Sequence, residues 1–358
     1  MTGVPNDATL KVYAATAPER LHELALSADS RDAVRLALTL ARQESQDATD
    51  WAVRLAEDLA ADQDPDTWRD LVRQLAWQLV QRPSSVALKR QFEELTPTAL
   101  DDPATEVRAC LLHEMALRWG ISDDSCRAYG ERLGRLQHPL AWLPLQTLAF
   151  EHRMRQSAWN DGGLVGSESP ETLRAGYPEP PPTLSGARTG RAARRVPDDE
   201  RTTAAMTGFA QLGAEAAFYT LAGPLDPADF NAALLSALDA ECLDGVTPQT
   251  LTAVHTTADD VAEDLFTAAF GGGMWEQGRW GAYARLATWR SLYALMDLDP
   301  DVSHYEAVRI AADHRWLRFA VHREADNDWF FGDLSDTAFA VLDPTRTRIA
   351  VIAATDTD

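Results

Sequence analysis

The densest set of candidate ligand oxygens lies between Glu324 and Asp336, where Asp326, Asp328, Asp333 and Asp336 are interleaved with Asn327 and Trp329. Carboxylates at alternate positions suit calcium or magnesium, but the calcium-loop pattern also needs glycine at its sixth position and glutamate at its twelfth. Counted from Asp326, those places hold Phe331 and Thr337. The loop therefore reads as turn-forming and strand-capping, and no metal site and no cofactor are assigned. Asp326, Asp328 and Asp333 stay as ligand-binding candidates, with Arg279, Arg285 and His314 for an anionic ligand.

The other chemical patterns are incomplete. A helix-borne zinc site needs two histidines one turn apart beside a glutamate. His22-Glu23 and His113-Glu114 begin that pattern, but Leu26 and Leu117 stand where the second histidine belongs. Asp259, Asp260, Glu263 and Asp264 resemble the aspartate-rich helix that binds magnesium diphosphate in isoprenoid synthases, without the second metal-binding helix that should accompany it. Acids at a helix start are favoured by the macrodipole in any case. Gly271, Gly272 and Gly273 fit neither the dinucleotide nor the P-loop spacing and read as a connection between helices. His255, His304, His314 and His322 are scattered, and no nucleophile–base order stands out.

Composition narrows the class of partner. With 55 acidic against 33 basic residues the net charge is -22, a field that disfavours nucleic acid and favours a basic protein partner. The three cysteines, Cys110, Cys126 and Cys242, form neither a disulfide framework nor a zinc knuckle. No apolar run is long enough for a membrane span, and the opening MTGVPNDATLKVY lacks the form of a secretion signal. The cytoplasm is the expected compartment.

The elements that must position these residues are mostly helices. Over Thr67 to Arg82, Trp68, Leu71, Val72, Leu75, Ala76, Leu79 and Val80 recur at helical spacing, with Arg69, Asp70, Arg73, Gln74 and Gln78 opposite. Asp-Pro pairs at Asp64-Pro65, Asp102-Pro103 and Asp226-Pro227 mark helix starts, because the carboxylate can accept free amides and proline lacks one. Further helices are predicted over 19–27, 32–45, 49–61, 85–95, 104–119, 124–136 and 140–156. Residues 1–159 thus form a helical array, a bundle or a solenoid, and DDPATEVRACLLHEMALR resembles the opening of a HEAT-type repeat.

Residues 160–203 are rich in glycine, proline, serine and arginine and are predicted to form a linker or long loop, carrying Arg188, Arg191, Arg194 and Arg195. Residues 204–358 are predicted to form a second helical domain. Its helices include AAMTGFAQLGAEAAFYTL, DPADFNAALLSALDAECL, ADDVAEDLFTAAF and a central, buried GAYARLATWRSLYALM. From about 316 to 355 the runs LRFAV, TAFAVLD and RIAVIAAT predict a three-stranded antiparallel meander, with DPTRTR as a hairpin turn. The fold class is mainly α with a small C-terminal β-meander, an α+β arrangement.

The stretch GRWGAYARLATWRSLYALM and the terminal FFGDLSDTAFAVLDPTRTRIAVIAATDTD resemble the C-terminal half of an uncharacterised bacterial family of unknown function. The resemblance covers roughly the last 85 residues. It implies kinship and brings no mechanism.

The expected function is a non-catalytic interaction or regulatory protein, toxin neutralisation being one version, whose acidic helical surface steers a basic protein partner. The alternative is an enzyme, or a small-ligand or metal-binding protein, with its site between the C-terminal helices and the meander.

Overall fold

The computed structural model describes residues 7–43, 45–81, 86–93, 96–154, 170–176, 193–273, 277–330 and 336–356. Their contacts separate two compact units, residues 1–147 with 279–283, and residues 148–278 with 284–358.

The first unit is a succession of helices, α1 (Asp7–Thr16), α2 (Pro18–Leu26), α3 (Ser30–Ala41), α4 (Gln46–Asp58), α5 (Pro65–Val80), α6 (Val86–Lys89), α7 (Pro103–Trp119) and α8 (Asp124–Arg135). Packing is mostly between near neighbours, α2 on α3 and α4, α3 on α4 and α5, and α5 on α7. The helix starts are the ones the sequence marks. Asp64 accepts from Thr67 N at 3.0 Å and Asp102 from Ala104 N at 3.1 Å, each followed by proline at the first helical position. In α5 the buried set is Leu71, Val72, Leu75, Ala76, Leu79 and Val80, the face that helical spacing predicts. Where one helix is predicted over 140–156, the described residues instead give a 3-10 turn at Pro139–Trp142, then irregular chain, then helix over 151–154, and 155–156 lie outside the described residues.

Residues 279–283 join this unit through two carboxylates of α7. Glu114 Oε1 accepts from Ala282 N at 2.7 Å, an amide left free at a helix start, and Tyr283 Oη donates to Glu106 Oε1 at 2.8 Å. Glu106 also faces His138 Nε2 at 3.0 Å, while Leu140 N donates to His138 Nδ1, which places the imidazole proton on Nε2. Burial works to raise the Glu106 pKa, yet its bonds with His138 and Tyr283 hold it below the usual carboxylate range.

The second unit is built on an antiparallel sheet of β1 (Ala193–Arg195), β2 (Gly213–Leu221), β3 (Leu251–Thr256), β4 (Arg315–Val321), β5 (Thr337–Leu342) and β6 (Arg348–Thr355). The strand order is β1-β2-β6-β5-β4-β3. The predicted meander is present as the consecutive β4, β5 and β6, and it forms the centre of a six-stranded sheet. Its last turn is the expected hairpin, in which Asp343 accepts from the amides of Thr345, Thr347 and Arg348 at 3.2, 2.8 and 2.7 Å.

The helix predicted over AAMTGFAQLGAEAAFYTL is corrected by the structure. Its first part forms α10 (Glu200–Ala205) and a 3-10 turn at Met206–Phe209, but its second half is β2, paired along its length with β6. The reason is burial on both faces. Ala217, Tyr219 and Leu221 enter one core while Ala216 and Phe218 are buried on the other side, so the period-2 polar alternation that marks a strand is missing. Part of the predicted loop at 160–203 is likewise ordered, as α9 (Pro170–Gly176) and the edge strand β1.

One face of the sheet is covered by the segment from Leu225 to Val246, through Phe230, Leu235, Leu238, Cys242 and Leu243. Within it the stretch DPADFNAALLSALDAECL is predicted to be helical, but it holds only α11 (Ala232–Leu235) and two 3-10 turns, one of them started by Asp226-Pro227. Against the other face lie α10 with the 206–209 turn, α12 (Ala258–Gly271), α13 (Trp280–Leu295) and α14 (His304–Asp313). Trp289, fully buried in α13, meets Phe150 in a tilted contact at 4.9 Å and His304 edge to face at 4.5 Å. Among the described residues no helix is long and apolar enough to cross a membrane.

Candidate functional site

Within the second unit a cleft of about 480 Å³ opens between the sheet and the ends of α13 and α14. Phe218 and Thr220 of β2, Ala350 of β6 and Val341 of β5 form its floor, with Leu295, Met296 and Ile310 from the helices. Phe218 lies opposite Ala350 and Thr220 opposite Arg348 in the β2–β6 register, so these side chains share one face. The polar lining comprises Arg201, Asp297, His314, Asp343 and Arg348.

Each of these groups is set by a local device. Arg201 belongs to the first turn of α10, which Asp199 caps by accepting from Arg201 N and Thr202 N at 2.9 and 3.2 Å. Its guanidinium stacks on the Phe218 ring at 4.1 Å, and its Nε is buried without a hydrogen-bond partner. Arg348 opens β6 immediately after the hairpin turn. Asp297 ends α13. Leu298 N bonds to Tyr293 O at 2.9 Å and Asp297 N to Ala294 O at 3.1 Å, the paired bonds of a Schellman cap, and Asp297 takes the left-handed position with φ 56°.

Asp297 gathers the two arginines. Its Oδ1 accepts from Arg201 Nη1 at 2.8 Å and its Oδ2 pairs with Arg348 Nη1. Burial works to raise the Asp343 pKa, but bonds from Thr345, Arg348 and Thr347 hold it below the usual carboxylate range. That carboxylate is spent on the turn. His314 Nδ1 lies 2.9 Å from Ile310 O, so it carries the proton and Nε2 is left as an acceptor. Burial lowers the His314 pKa, which keeps the ring neutral near pH 7.

Of the six ligand-binding candidates, His314 is the one among the described residues that lines this cleft. Arg285 is fully buried in α13 and forks onto Glu151, while Arg279 belongs to the first unit. Asp326 and Asp328 are exposed in a loop that Asn327 ties to Asp244 O at 2.8 Å, and Asp333 lies outside the described residues. The acidic run of α12 is divided between structural tasks. Asp260 forms a capping box with Thr257 and pairs with Arg153, and Asp264 accepts from Arg318 at 2.6 Å and from Thr337 at 3.1 Å. His22 pairs with Asp58, and Gly272 ends α12 at φ 78°. Of the linker arginines, Arg195 sits on β1 and donates to Asp239 O at 2.9 Å, while Arg188 and Arg191 lie outside the described residues. Among the described residues no group of three or more His, Cys, Asp or Glu is placed to hold a metal ion.

Arg201, Asp297 and Arg348 carry no sequence signature. Arg201 and Asp297 are 96 residues apart, and the one local hint is an aspartate just past a helix end, where glycine is the common residue.

No curated protein and no solved structure shows a significant match to the chain. The family model does, and it extends the kinship seen in the last 85 residues to nearly the whole length. Its match runs over residues 10–358, and the chain belongs to that family of unknown function, DUF6183.

Proposed function

We propose that the protein binds a small organic ligand in the cleft between the C-terminal helices and the sheet. The observation that carries this is the apolar floor of Phe218, Val341 and Ala350 beneath a few convergent polar groups, the usual composition of a small-ligand site. The three cysteines are buried, and burial raises the thiol pKa of each, which disfavours a thiolate nucleophile. Binding is therefore favoured over covalent catalysis by these groups. Ligand-observed saturation-transfer NMR with simple aromatic probes tests it. Wild-type protein transfers magnetisation to benzyl alcohol, and Thr220→Phe, which fills the floor, abolishes the transfer. Equal transfer from both proteins, or none from either, overturns the reading.

A second reading is favoured by the net charge of -22, namely interaction or regulation through an acidic surface that steers a basic protein partner. Its affinity for that partner falls steeply as salt rises. Capture of partners from the native host at low and moderate ionic strength tests it, and a partner retained equally at both sinks the electrostatic part.

A further inference from the structure

Asp297 stands where both backbone and electrostatics are against it. The left-handed C′ position costs a side-chain-bearing residue roughly 1 kcal/mol that glycine avoids, and a carboxylate at a helix C-terminus meets the negative end of the macrodipole. Its carboxylate nevertheless takes one arginine on each oxygen, Arg201 on Oδ1 and Arg348 on Oδ2, at the cleft lined by all three residues. Strain kept at such a place points to use of the side chain. The carboxylate also has a way out, since Asp297 is 39% exposed.

We propose that Asp297 is a built-in stand-in for an anionic ligand. An organic anion, with a phosphate or carboxylate head and an apolar body, displaces it from Arg201 and Arg348. This rests on the ligand-binding reading above and names the ligand class. The head group replaces the Asp297 oxygens on the two guanidinium groups, whose planar donors suit either oxyanion. The apolar body lies on Phe218, Val341 and Ala350. The head group brings its own negative charge in place of that of Asp297, and the Asp343 carboxylate stays held by its turn amides. Until displaced, Asp297 scales the apparent affinity down to the intrinsic value times the fraction of molecules in which the arginines are free of it.

Isothermal titration calorimetry with phenyl phosphate tests this. Asp297→Gly suits the left-handed backbone and removes the competitor, so it binds phenyl phosphate about tenfold more tightly than wild type. Asp297→Asn, which keeps the side-chain shape, shifts affinity the same way and serves if the glycine variant does not fold. Adding Arg348→Gln to either variant reverses the gain. Arg309→Gln, at an exposed arginine paired with Glu306 on α14, leaves wild-type affinity unchanged. Phenyl phosphate binding no tighter in either Asp297 variant than in wild type overturns the proposal. If benzyl alcohol still binds in a Thr220→Phe-sensitive way, that failure leaves the ligand-binding reading standing. If neither probe binds, both fall.

Discussion

Arg285 and Glu151 form a two-bond ion pair with both side chains wholly buried, Nε to Oε1 at 2.6 Å and Nη2 to Oε2 at 3.0 Å. Glu151 also accepts from Trp289 Nε1 at 2.7 Å and from Leu148 N at 2.6 Å. One carboxylate thus ties the start of its own helical turn to two successive turns of α13. Removing one partner of a buried pair leaves a charge without compensation, and Glu151→Ala is expected to cost roughly 3–5 kcal/mol in urea denaturation. The double change Glu151→Leu with Arg285→Met costs less than the sum of the two single changes, and strict additivity would show that the pair is not coupled.

His304 is expected to make stability depend on pH. Burial, and then the nearby Arg285 charge, lower its pKa from 6.5 to about 4. Between those values the unfolded chain takes up a proton that the folded chain excludes, so stability falls as pH drops from 6.5 towards 4, by roughly 3 kcal/mol in total. Urea midpoints across this range should slope less steeply in His304→Gln. An unchanged slope would assign the effect to other groups.

Gly245 anchors the aspartate loop. It sits at φ 68°, and a Cβ there would overlap the carbonyl oxygen of Asp326. Gly245→Ala therefore combines backbone strain with a clash against main chain, a loss of at least about 1 kcal/mol. Gly223 has open space and no positive φ, so Gly223→Ala stays close to wild type in the same denaturation series. Equal midpoints for the two variants would show that the loop is not held at this point.

Thiol chemistry reports on the core. Cys110, Cys126 and Cys242 are all buried, and burial pushes the Cys126 pKa up to about 12. The native protein should leave all three unmodified by a disulfide reagent at pH 8 over minutes, and guanidinium should expose them together. Prompt reaction of one thiol in native protein would place that residue on a locally opening element.

The parts governed by neighbours along the chain were legible in the residues alone. The Asp64-Pro65 and Asp102-Pro103 helix starts, the buried face of α5, the turn from Asp343 to Thr347 and the β4-β5-β6 succession all follow from local hydrogen bonding and hydrophobic period. Asp226-Pro227 shows the limit, because the same capping device there opens only a single 3-10 turn. Tertiary structure decided β2, whose two apolar faces hide the strand period, and it decided which charged side chains meet. Arg285, singled out as a ligand contact, is consumed by Glu151, whereas Arg201 and Arg348 converge on Asp297 only once α10, α13 and β6 are assembled. Charge pairing between distant segments depends on which surfaces the core brings together. Spacing along the chain does not encode it.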